Sequence, residues 1–304
     1  MLKLIYKILR RKKIMNGKEQ IYKLNIKESF LLSHIFECGQ CFRWQKREDE
    51  SYTGVFQNNV LNVKQENEMI TFKGICDKPI KEVVDDYFDM QTDYKDIKNK
   101  LSQIDNYLAQ SIEYGSGIRI LNQDLWEVII SFIISANNNI PRIQKIIERL
   151  SKEYGNKIIY NEEEYFTFPT KEQLSKASIE DLRRLGLGFR DKYVYETTKK
   201  IIQKEVDLES LKRIEDTNKI REILLTLPGI GPKVADCIML FGMHKFEVFP
   251  IDVWVRRVMN ELYIKNKDET KVNKKEIEKL AKEKYANLAG IAQQYLFYWK
   301  RETA

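Results

Sequence analysis

The stretch that most constrains the fold runs from residue 227 to residue 252 and reads LPGIGPKVADCIMLFGMHKFEVFPID. Gly229, which follows a proline, ends the helical pattern that precedes it. Gly231 is expected to let the chain turn again without a steric penalty from a Cβ atom, and Pro232 suits the first turn of a new helix. The sequence therefore predicts two helices joined by a glycine hairpin, with the whole motif at residues 217–243.

Two charged residues accompany this hairpin. Lys233 lies in the first turn of the second helix, where unpaired amides and the helix dipole offer a site for an anion of phosphate size. Asp252 follows a proline by two positions and precedes another helical run, VWVRRVMNEL. Each has an ordinary interpretation, since most lysines are solvated and an aspartate before a helix is usually an N-cap. Their combination with the hairpin favours a catalytic pair.

The order LPGIGPK, VADC and Pro-x-Asp resembles the helix-hairpin-helix-GPD superfamily of base-excision DNA glycosylases, and the lysine is typical of its bifunctional members. The resemblance implies that Lys233 attacks C1′ of deoxyribose, forms a Schiff base and releases the 3′-phosphate by β-elimination. It also implies that Asp252 stays ionised and stabilises positive charge on the sugar. We expect the helix N-terminus and a partly dry pocket to lower the pKa of Lys233, because both disfavour an ammonium.

The fold class follows from a change in periodicity along the chain. The first part has short runs rich in β-branched and aromatic residues. Its predicted strands are Ile21–Leu24, Phe42–Gln45, Tyr52–Phe56, Val60–Val63 and Met69–Phe72, with a helix over Ile26–Phe36. Later residues are helical in period, with predicted helices at 80–89, 95–113, 123–136, 140–154, 171–177, 179–185, 190–204, 217–226, 232–243, 252–263, 273–284 and 286–301. We predict an α+β chain, with a small N-terminal antiparallel β-sheet domain at residues 15–92 and a larger all-α catalytic region at residues 93–304.

The positive charge of the chain is concentrated at its start. The net charge is +7, yet residues 1–14, MLKLIYKILRRKKI, carry six lysines and arginines and no acid, which leaves +1 for the rest. DNA binding must then depend on local patches and backbone amides and not on bulk charge. We expect this basic tail to be a disordered arm, or an upstream-start extension before a true start at Met15, and to lie outside the fold.

The segment CGQCFRW, at residues 38–44, resembles the GQSFRW segment of 8-oxoguanine DNA glycosylases. N7 of guanine accepts a hydrogen bond, whereas N7 of 8-oxoguanine carries a hydrogen and donates one. A single inward-facing carbonyl can therefore distinguish the two bases, and the resemblance assigns this carbonyl to Gly39. A side chain there would hinder close approach of the base. Without the resemblance, the segment is a turn that leads into a strand.

Two further segments combine a candidate wedge with an arginine. In SANNNIPRI, Asn137 either belongs to a polar turn or, by the same resemblance, enters the gap left by the extruded base, and Arg142 hydrogen-bonds the orphaned partner base. In GLGFRDKYV, Phe189 is either a core residue or a wedge into the base stack. The resemblance makes Arg190 a second reader of the orphaned cytosine.

The last helix, AGIAQQYLFYWKRE, carries Gln293 and Phe297 on one face, because they are four residues apart. An amide both donates and accepts, which suits the Watson–Crick edge of guanine. The resemblance implies that Gln293 reads this edge, Phe297 stacks on one face of the flipped base and Cys237 lies against the other. Trp254 stands where many eukaryotic members have a phosphate-binding histidine, which leaves the 3′-phosphate contact unassigned and favours a bacterial subgroup.

The predicted chemistry requires no cofactor. The resemblance implies a monovalent cation held by the backbone carbonyls of Leu225, Leu227 and Ile230, bridging to a DNA phosphate. The cysteine-rich C-terminal loop that holds an iron–sulfur cluster in the endonuclease III branch is absent from the sequence, and four cysteines in 304 residues suggest a reducing compartment. We expect a monomer in the cytoplasm, associated with the nucleoid and with no membrane span, whose partner is duplex DNA containing oxidised guanine.

The predicted function is excision of 8-oxoguanine, preferably opposite cytosine, by a bifunctional DNA glycosylase and abasic-site lyase. A second hypothesis is a non-enzymatic helix-hairpin-helix protein that only grips DNA. It explains the hairpin glycines but not the pairing of Lys233 with Asp252. A third is a glycosylase for a different damaged base, which keeps the chemistry and changes the pocket, so that Gln293 distinguishes it.

Overall fold

The computed structural model describes residues 14–15, 17–26, 29–268 and 272–303. The predicted basic tail thus lies outside the described residues up to position 13. Strand β1, Ile14–Met15, pairs in parallel with Lys157 and Ile158. Strand pairing therefore begins at Ile14, the last residue of the tail that we expected to lie outside the fold. The parallel pairing of this strand was not predicted.

A five-stranded antiparallel sheet forms the N-terminal region, as predicted. Strands β2 to β6 are Gln20–Asn25, Trp44–Lys46, Tyr52–Phe56, Asn59–Glu66 and Met69–Ile75, and they pair in the order β2-β6-β5-β4-β3. The sheet packs against helices α1, Leu32–Glu37, and α2, Ile80–Tyr87. Aromatic rings fill this layer, and the rings of Phe36 and Trp44 stack with centroids 4.0 Å apart. This packing fixes CGQCFRW, whose first six residues join α1 to β3 and whose tryptophan begins β3.

The later part of the chain is mainly helical. Its helices are α3 Tyr94–Ser102, α4 Asn106–Tyr114, α5 Leu125–Ser135, α6 Ile140–Tyr154, α7 Lys171–Leu174, α8 Ile179–Arg184, α9 Arg190–Ile202, α10 Leu208–Lys212, α11 Thr217–Leu225, α12 Pro232–Met243, α13 Val253–Met259, α14 Lys274–Tyr285 and α15 Ala289–Glu302. A π-helical turn, Asn260–Ile264, continues α13, and a 3-10 turn, Ala286–Leu288, precedes α15. Most of these elements lie where the helical period predicts them.

The largest differences from the predicted helices concern two of them, and helix α10 was not predicted. Helix α1 begins at Leu32 and not at Ile26, because the residue before it has extended backbone with φ −139°. The predicted helix over 95–113 is divided into α3 and α4. Asp105 caps α4 by accepting a hydrogen bond from the amide of Leu108 at 3.0 Å. The aspartate therefore acts as a helix start inside an otherwise continuous helical pattern.

The helical region is not all-α, which corrects the prediction. Strands β7, Lys157–Tyr160, and β8, Glu163–Phe166, form an antiparallel hairpin. The two turn residues, Asn161 and Glu162, have φ of 49° and 63°. Sequences usually mark such a turn with Asn-Gly, because both positions need positive φ. Because the second turn residue is glutamate and not glycine, this hairpin could not be predicted from its turn residues.

The core of the helical region centres on α5 and α12. Helix α5 is buried along almost its whole surface, and α12 is buried from Val234 to Phe241. The rings of Phe132 and Phe241 stack across the two helices, with centroids 5.4 Å apart. Each fully buried aliphatic or aromatic side chain stabilises the fold by about 1.5–3 kcal/mol. The helix that carries Lys233 in its first turn is therefore held rigidly from its second turn onward.

Within the described residues, no helix is long and apolar enough to cross a membrane. Helix α5, although strongly apolar, has 11 residues, and a span requires about 20. In the same part of the chain, no three His, Cys, Asp or Glu side chains converge on a position that could hold a metal ion. The four cysteines are free thiols.

Candidate active site

The hairpin between α11 and α12 contains two glycines with different roles. Gly229 has φ of 82°, and a Cβ atom there would lie 2.8 Å from the Cβ of Tyr193, so backbone and neighbour both exclude a side chain. Gly231 has φ −97° and ψ 178°, which is extended backbone that any residue adopts. The expectation that Gly231 supplies a second glycine-dependent turn is therefore wrong. No described atom lies within 4 Å of a Cβ at this position, so the start of α12 faces open space.

Lys233 and Asp252 line one cleft with a volume of about 690 Å³. Lys233 projects from the first turn of α12, and Asp252 precedes α13. Three other predicted site residues, Gly39, Asn137 and Phe297, line the same cleft. The fold thus brings together residues from the N-terminal region, the end of α5, the hairpin and the last helix.

The carboxylate of Asp252 is oriented by the helix that it caps. Its Oδ1 accepts a hydrogen bond from the amide of Val255 at 2.8 Å. This bond leaves Oδ2 for the cleft. The ordinary interpretation of Asp252 as an N-cap is correct, and it is compatible with a second role because the cap bond uses only one of the two carboxylate oxygens.

The pKa of Lys233 lies above its ordinary value. The first cause is the Cys237 sulfur, which hydrogen-bonds Lys233 and favours the ammonium when it is ionised. Asp252 acts in the same direction, and burial opposes both. Burial raises the pKa of the Cys237 thiol to about 11, so this thiol is neutral at pH 7 and does not act on Lys233 as an anion there. The expectation of a lowered pKa is wrong, because the fold brings an anion to the amine.

Gly39 and Phe297 form the part of the cleft where a base is expected. Gly39 has φ of 88°, and a Cβ atom on it would lie 3.6 Å from Cε1 of Phe297. The Gly39 turn is anchored by Gln40, a residue that was not among the predicted site residues. The buried Gln40 amide donates to the Arg119 carbonyl at 2.7 Å and accepts from the Leu121 amide at 2.8 Å. The position of this glutamine directly after Gly39 is the sequence feature that could have indicated its role.

Gln293 and Cys237 lie beneath the cleft and not on its lining. Gln293 is 4% exposed, and its Oε1 accepts a hydrogen bond from Nε2 of Gln294 at 2.8 Å. Cys237 is also buried and contacts Lys233. Phe297 lines the cleft and Gln293 does not, so the Gln293 amide must leave its bond to Gln294 before it can contact a base in the cleft.

The two candidate wedges are exposed. Asn137 occupies the turn after α5 with φ of 51°, a conformation that asparagine tolerates better than most residues. Phe189 is 57% exposed and makes an edge contact with Tyr193. The interpretation of Phe189 as a core residue is therefore wrong. Arg142 is exposed nearby, with its Nη2 4.0 Å from the position of a Cβ atom on Gly188.

Arg190 has different surroundings from those expected of a base reader. It is 2% exposed, its Nε donates to the carbonyl of Ala136 at 2.8 Å and its Nη2 donates to that of Asn137 at 2.7 Å. Its guanidinium also lies 4.3 Å from the ring centre of Phe189. In this structure Arg190 braces the Asn137 turn and supports the Phe189 ring, so it links the two wedges.

The carbonyls predicted to hold a cation lie in the hairpin. The Leu227 carbonyl accepts a hydrogen bond from the Ile230 amide at 3.2 Å. A carbonyl oxygen has two lone pairs, so this bond leaves one for a ligand. Carbonyl oxygens are suitable ligands for a hard cation, and the residues present fit such an ion.

The lining of the cleft also includes Trp254 and two cationic side chains. Trp254 lines the cleft in place of the histidine seen in the resembled eukaryotic proteins, and its indole nitrogen is buried without a hydrogen-bond partner among the described residues. Arg256 and Lys274 line the same cleft from two different helices. Two additional cations in the cleft lining favour an anionic polymer such as DNA.

These features agree with two family models. Residues 130–287 match the HhH-GPD superfamily base excision DNA repair protein, and residues 23–129 match the N-terminal domain of 8-oxoguanine DNA glycosylase. The chain belongs to the HhH-GPD superfamily of base excision DNA repair proteins. Within that superfamily, its N-terminal part carries the domain that is typical of 8-oxoguanine DNA glycosylases.

Individual relatives agree with this placement. The chain is 33% identical to a probable N-glycosylase/DNA lyase of Methanothermobacter thermautotrophicus, over 74% of this chain and 76% of the relative. It is 40% identical to the 8-oxoguanine glycosylase/lyase of Clostridium acetobutylicum, whose apo crystal structure matches with a TM-score of 0.87 over 95% of this chain and 99% of that chain. The structure of the same Clostridium protein with duplex DNA containing cytosine opposite 8-oxoguanine matches with a TM-score of 0.86 and the same coverage.

Proposed function

We propose that this protein excises 8-oxoguanine from duplex DNA and then cleaves the strand at the resulting abasic site. The observation that carries the proposal is the shared cleft, in which Lys233 and Asp252 face the same space as Gly39 and Phe297. A DNA-gripping hairpin alone has no use for such a cleft. The glycosylase and lyase activities named for the Methanothermobacter and Clostridium proteins support the same reaction.

Base excision requires that the damaged nucleotide leave the duplex, because the glycosidic bond is inaccessible within the stack. We infer that Asn137 and Phe189 occupy the space it vacates, since both are exposed and the Arg190 guanidinium contacts both. Phe297 then stacks on the flipped base, and the Gly39 carbonyl accepts the N7 hydrogen that guanine lacks. Gln293 reads the Watson–Crick edge by exchanging its bond to Gln294 for bonds to the base.

The chemistry proceeds through Lys233. The ammonium first gives up a proton, and the neutral amine forms a bond to C1′ as the bond from C1′ to N9 breaks. The departing base takes the electron pair of that bond and accepts a proton. The Asp252 carboxylate stabilises the positive charge that develops on the sugar. Opening of the sugar gives a Schiff base, from which loss of a C2′ proton expels the 3′-phosphate.

We also propose a preference for cytosine opposite the lesion. Cytosine offers N3 and O2 as acceptors to guanidinium groups, whereas adenine places an N6 donor beside N1. Arg142 is exposed and free to read the base, whereas Arg190 must exchange the carbonyls of Ala136 and Asn137 for the acceptors of cytosine. An unmatched buried donor costs about 1–3 kcal/mol, which corresponds to roughly ten- to a hundred-fold in rate.

The preference is tested by single-turnover excision opposite each of the four bases. The wild-type chain is expected to act fastest opposite cytosine, and Arg190→Ala is expected to reduce this preference more than it slows excision opposite cytosine. Equal wild-type rates opposite cytosine and adenine would show that these arginines bind phosphates instead. Arg142→Ala provides the matched comparison, because Arg142 is exposed and has no role in bracing the turn.

We propose that the chain acts as a monomer and needs no cofactor. A monovalent cation at the carbonyls of Leu225, Leu227 and Ile230 would strengthen binding of a DNA phosphate at the hairpin. The cation would supply charge only, because the reacting groups are side chains of the chain itself.

The proposed function is tested with a duplex that carries 8-oxoguanine opposite cytosine. Base release is measured after hot alkali, which cleaves every abasic site, and strand cleavage is measured without alkali. The proposal predicts both activities and no release of guanine from the undamaged duplex. Binding without release would favour the DNA-gripping hypothesis, and release of a different damaged base alone would favour the third.

A further inference from the structure

Arg301, in the last turn of α15, joins the final helix to the Gly39 turn. Its Nη2 donates a hydrogen bond to the backbone carbonyl of Glu37, which precedes Gly39 by two residues. Its Nε donates to Glu302 at 2.8 Å. The carbonyl of Glu37 lies at the end of α1, where helix carbonyls have no partner within the helix. Arg301 therefore supplies a partner at the point where the turn begins.

The same guanidinium contacts two aromatic side chains of its own helix, one of which, Phe297, lines the cleft. Its central carbon lies 5.3 Å from the ring centre of Phe297 and 5.6 Å from that of Tyr298. Its Nη1 lies 3.4 Å from the position of a Cβ atom on Gly39. This nitrogen is buried and has no hydrogen-bond partner among the described residues. An unpaired buried donor is unfavourable for folding, so stability alone does not account for an arginine at this position.

The Gly39 turn is thus held from two sides. Gln40 fixes its far end against the Arg119 carbonyl and the Leu121 amide. Arg301 fixes its near end and also contacts Phe297. Gln40, in contrast, does not line the cleft. Gly39 is the residue in between, with φ of 88°. Because glycine has no Cβ atom, its backbone is less restricted than that of any other residue.

We propose that Arg301 is a positioning residue for recognition of the flipped base. It sets the distance between the Gly39 carbonyl and the Phe297 ring before DNA binds, so that the carbonyl and the stacking surface meet the same base. The inference rests on the proposed function. Displacement of a substrate-holding group by about 1 Å can reduce a rate by about 10²-fold, so a flexible turn would be costly for excision.

The proposed role predicts a difference between two substrates. Excision of 8-oxoguanine needs the base to be held, whereas Schiff-base formation at a preformed abasic site has no base to hold. Arg301→Ala is expected to slow single-turnover excision opposite cytosine by at least about 10-fold. The same variant is expected to crosslink to an abasic duplex under borohydride within about twofold of wild type.

Lys300→Ala is the matched control. Lys300 is the preceding residue on α15 and pairs with Glu261 at 2.6 Å, away from the Gly39 turn, so both activities should be unchanged. If the melting curve shows that Arg301→Ala is unfolded, Arg301→Lys takes its place under the same criterion, because lysine keeps the charge but not the planar fork.

An unchanged excision rate in the folded variant, or equal losses on both substrates, would overturn the proposed role. Wild-type protein that crosslinks to abasic DNA but releases no 8-oxoguanine would overturn the proposed function and this inference with it. A loss confined to the Arg301 variant and to the base-containing substrate supports the inference.

Discussion

Replacement of Asp252 by asparagine separates the charge of this residue from its capping role. Oδ1 of Asp252 accepts the amide of Val255 at 2.8 Å, and an asparagine oxygen can make the same bond. Asparagine and aspartate are equally good N-caps, so the free energy of unfolding should change by a few tenths of a kcal/mol at most. Asp252→Ala removes the acceptor and should cost about 1 kcal/mol.

Both variants remove the carboxylate that stabilises charge on the sugar. Excision should therefore fall by at least about 10²-fold in each, which corresponds to roughly 2.7 kcal/mol of transition-state stabilisation. Asp252 also helps to raise the pKa of Lys233. Its removal lowers that pKa and makes the neutral amine more available, so the loss measured at neutral pH understates the electrostatic contribution.

Single-turnover excision at saturating enzyme, together with denaturant unfolding of each variant, provides the assay. The account predicts that Asp252→Asn unfolds like wild type but is nearly inactive. An Asp252→Asn rate close to wild type would refute the electrostatic role. A loss of stability in Asp252→Asn as large as that in Asp252→Ala would show that the capping geometry is not preserved.

Two further predictions concern the tail and a buried carboxylate. A chain that begins at Met15 should keep its single-turnover excision rate and bind DNA more weakly with a shallower salt dependence, because residues 1–14 carry six positive charges; loss of the excision rate itself would show that the tail belongs to the fold. Burial raises the pKa of Asp236 to about 6, although Arg221 bonds it at 2.7 Å. The folded chain then binds this proton more tightly than the unfolded chain, so the carboxylate destabilises the fold increasingly as pH rises from about 4 to 6. The stability of Asp236→Asn relative to wild type should increase over this range in urea unfolding at several pH values, and a difference independent of pH would contradict the assignment.

The elements that sequence reasoning located well are those with local signals. The observed α12, Pro232–Met243, has the predicted bounds, because Pro232 begins it and a polar residue in left-handed conformation, His244, ends it. Strand β4, Tyr52–Phe56, also has its predicted bounds. The hairpin of β7 and β8 escaped prediction because its turn is built from Asn161 and Glu162 without a glycine.

The properties of the site were harder to predict, because they depend on contacts between residues that are distant in sequence. Motifs indicated that Lys233, Asp252 and Gly39 act together, and the fold places them around one cleft. No pattern within α12 could show that Asp252 would come close enough to raise the pKa of Lys233. Likewise, the contact of Arg301 with the Glu37 carbonyl spans 264 positions of sequence, and only the packed structure reveals it.

The central claim, that Lys233 is the nucleophile, is tested most directly by borohydride trapping on a duplex with 8-oxoguanine opposite cytosine. Reduction of a Schiff base joins protein and DNA covalently, so the attacking amine can be identified by substitution. Lys274→Gln serves as the control, because Lys274 lines the same cleft. The account predicts that wild type and Lys274→Gln crosslink, whereas Lys233→Gln binds the duplex and does not. A crosslink in Lys233→Gln would show that another amine attacks the sugar and would contradict the account.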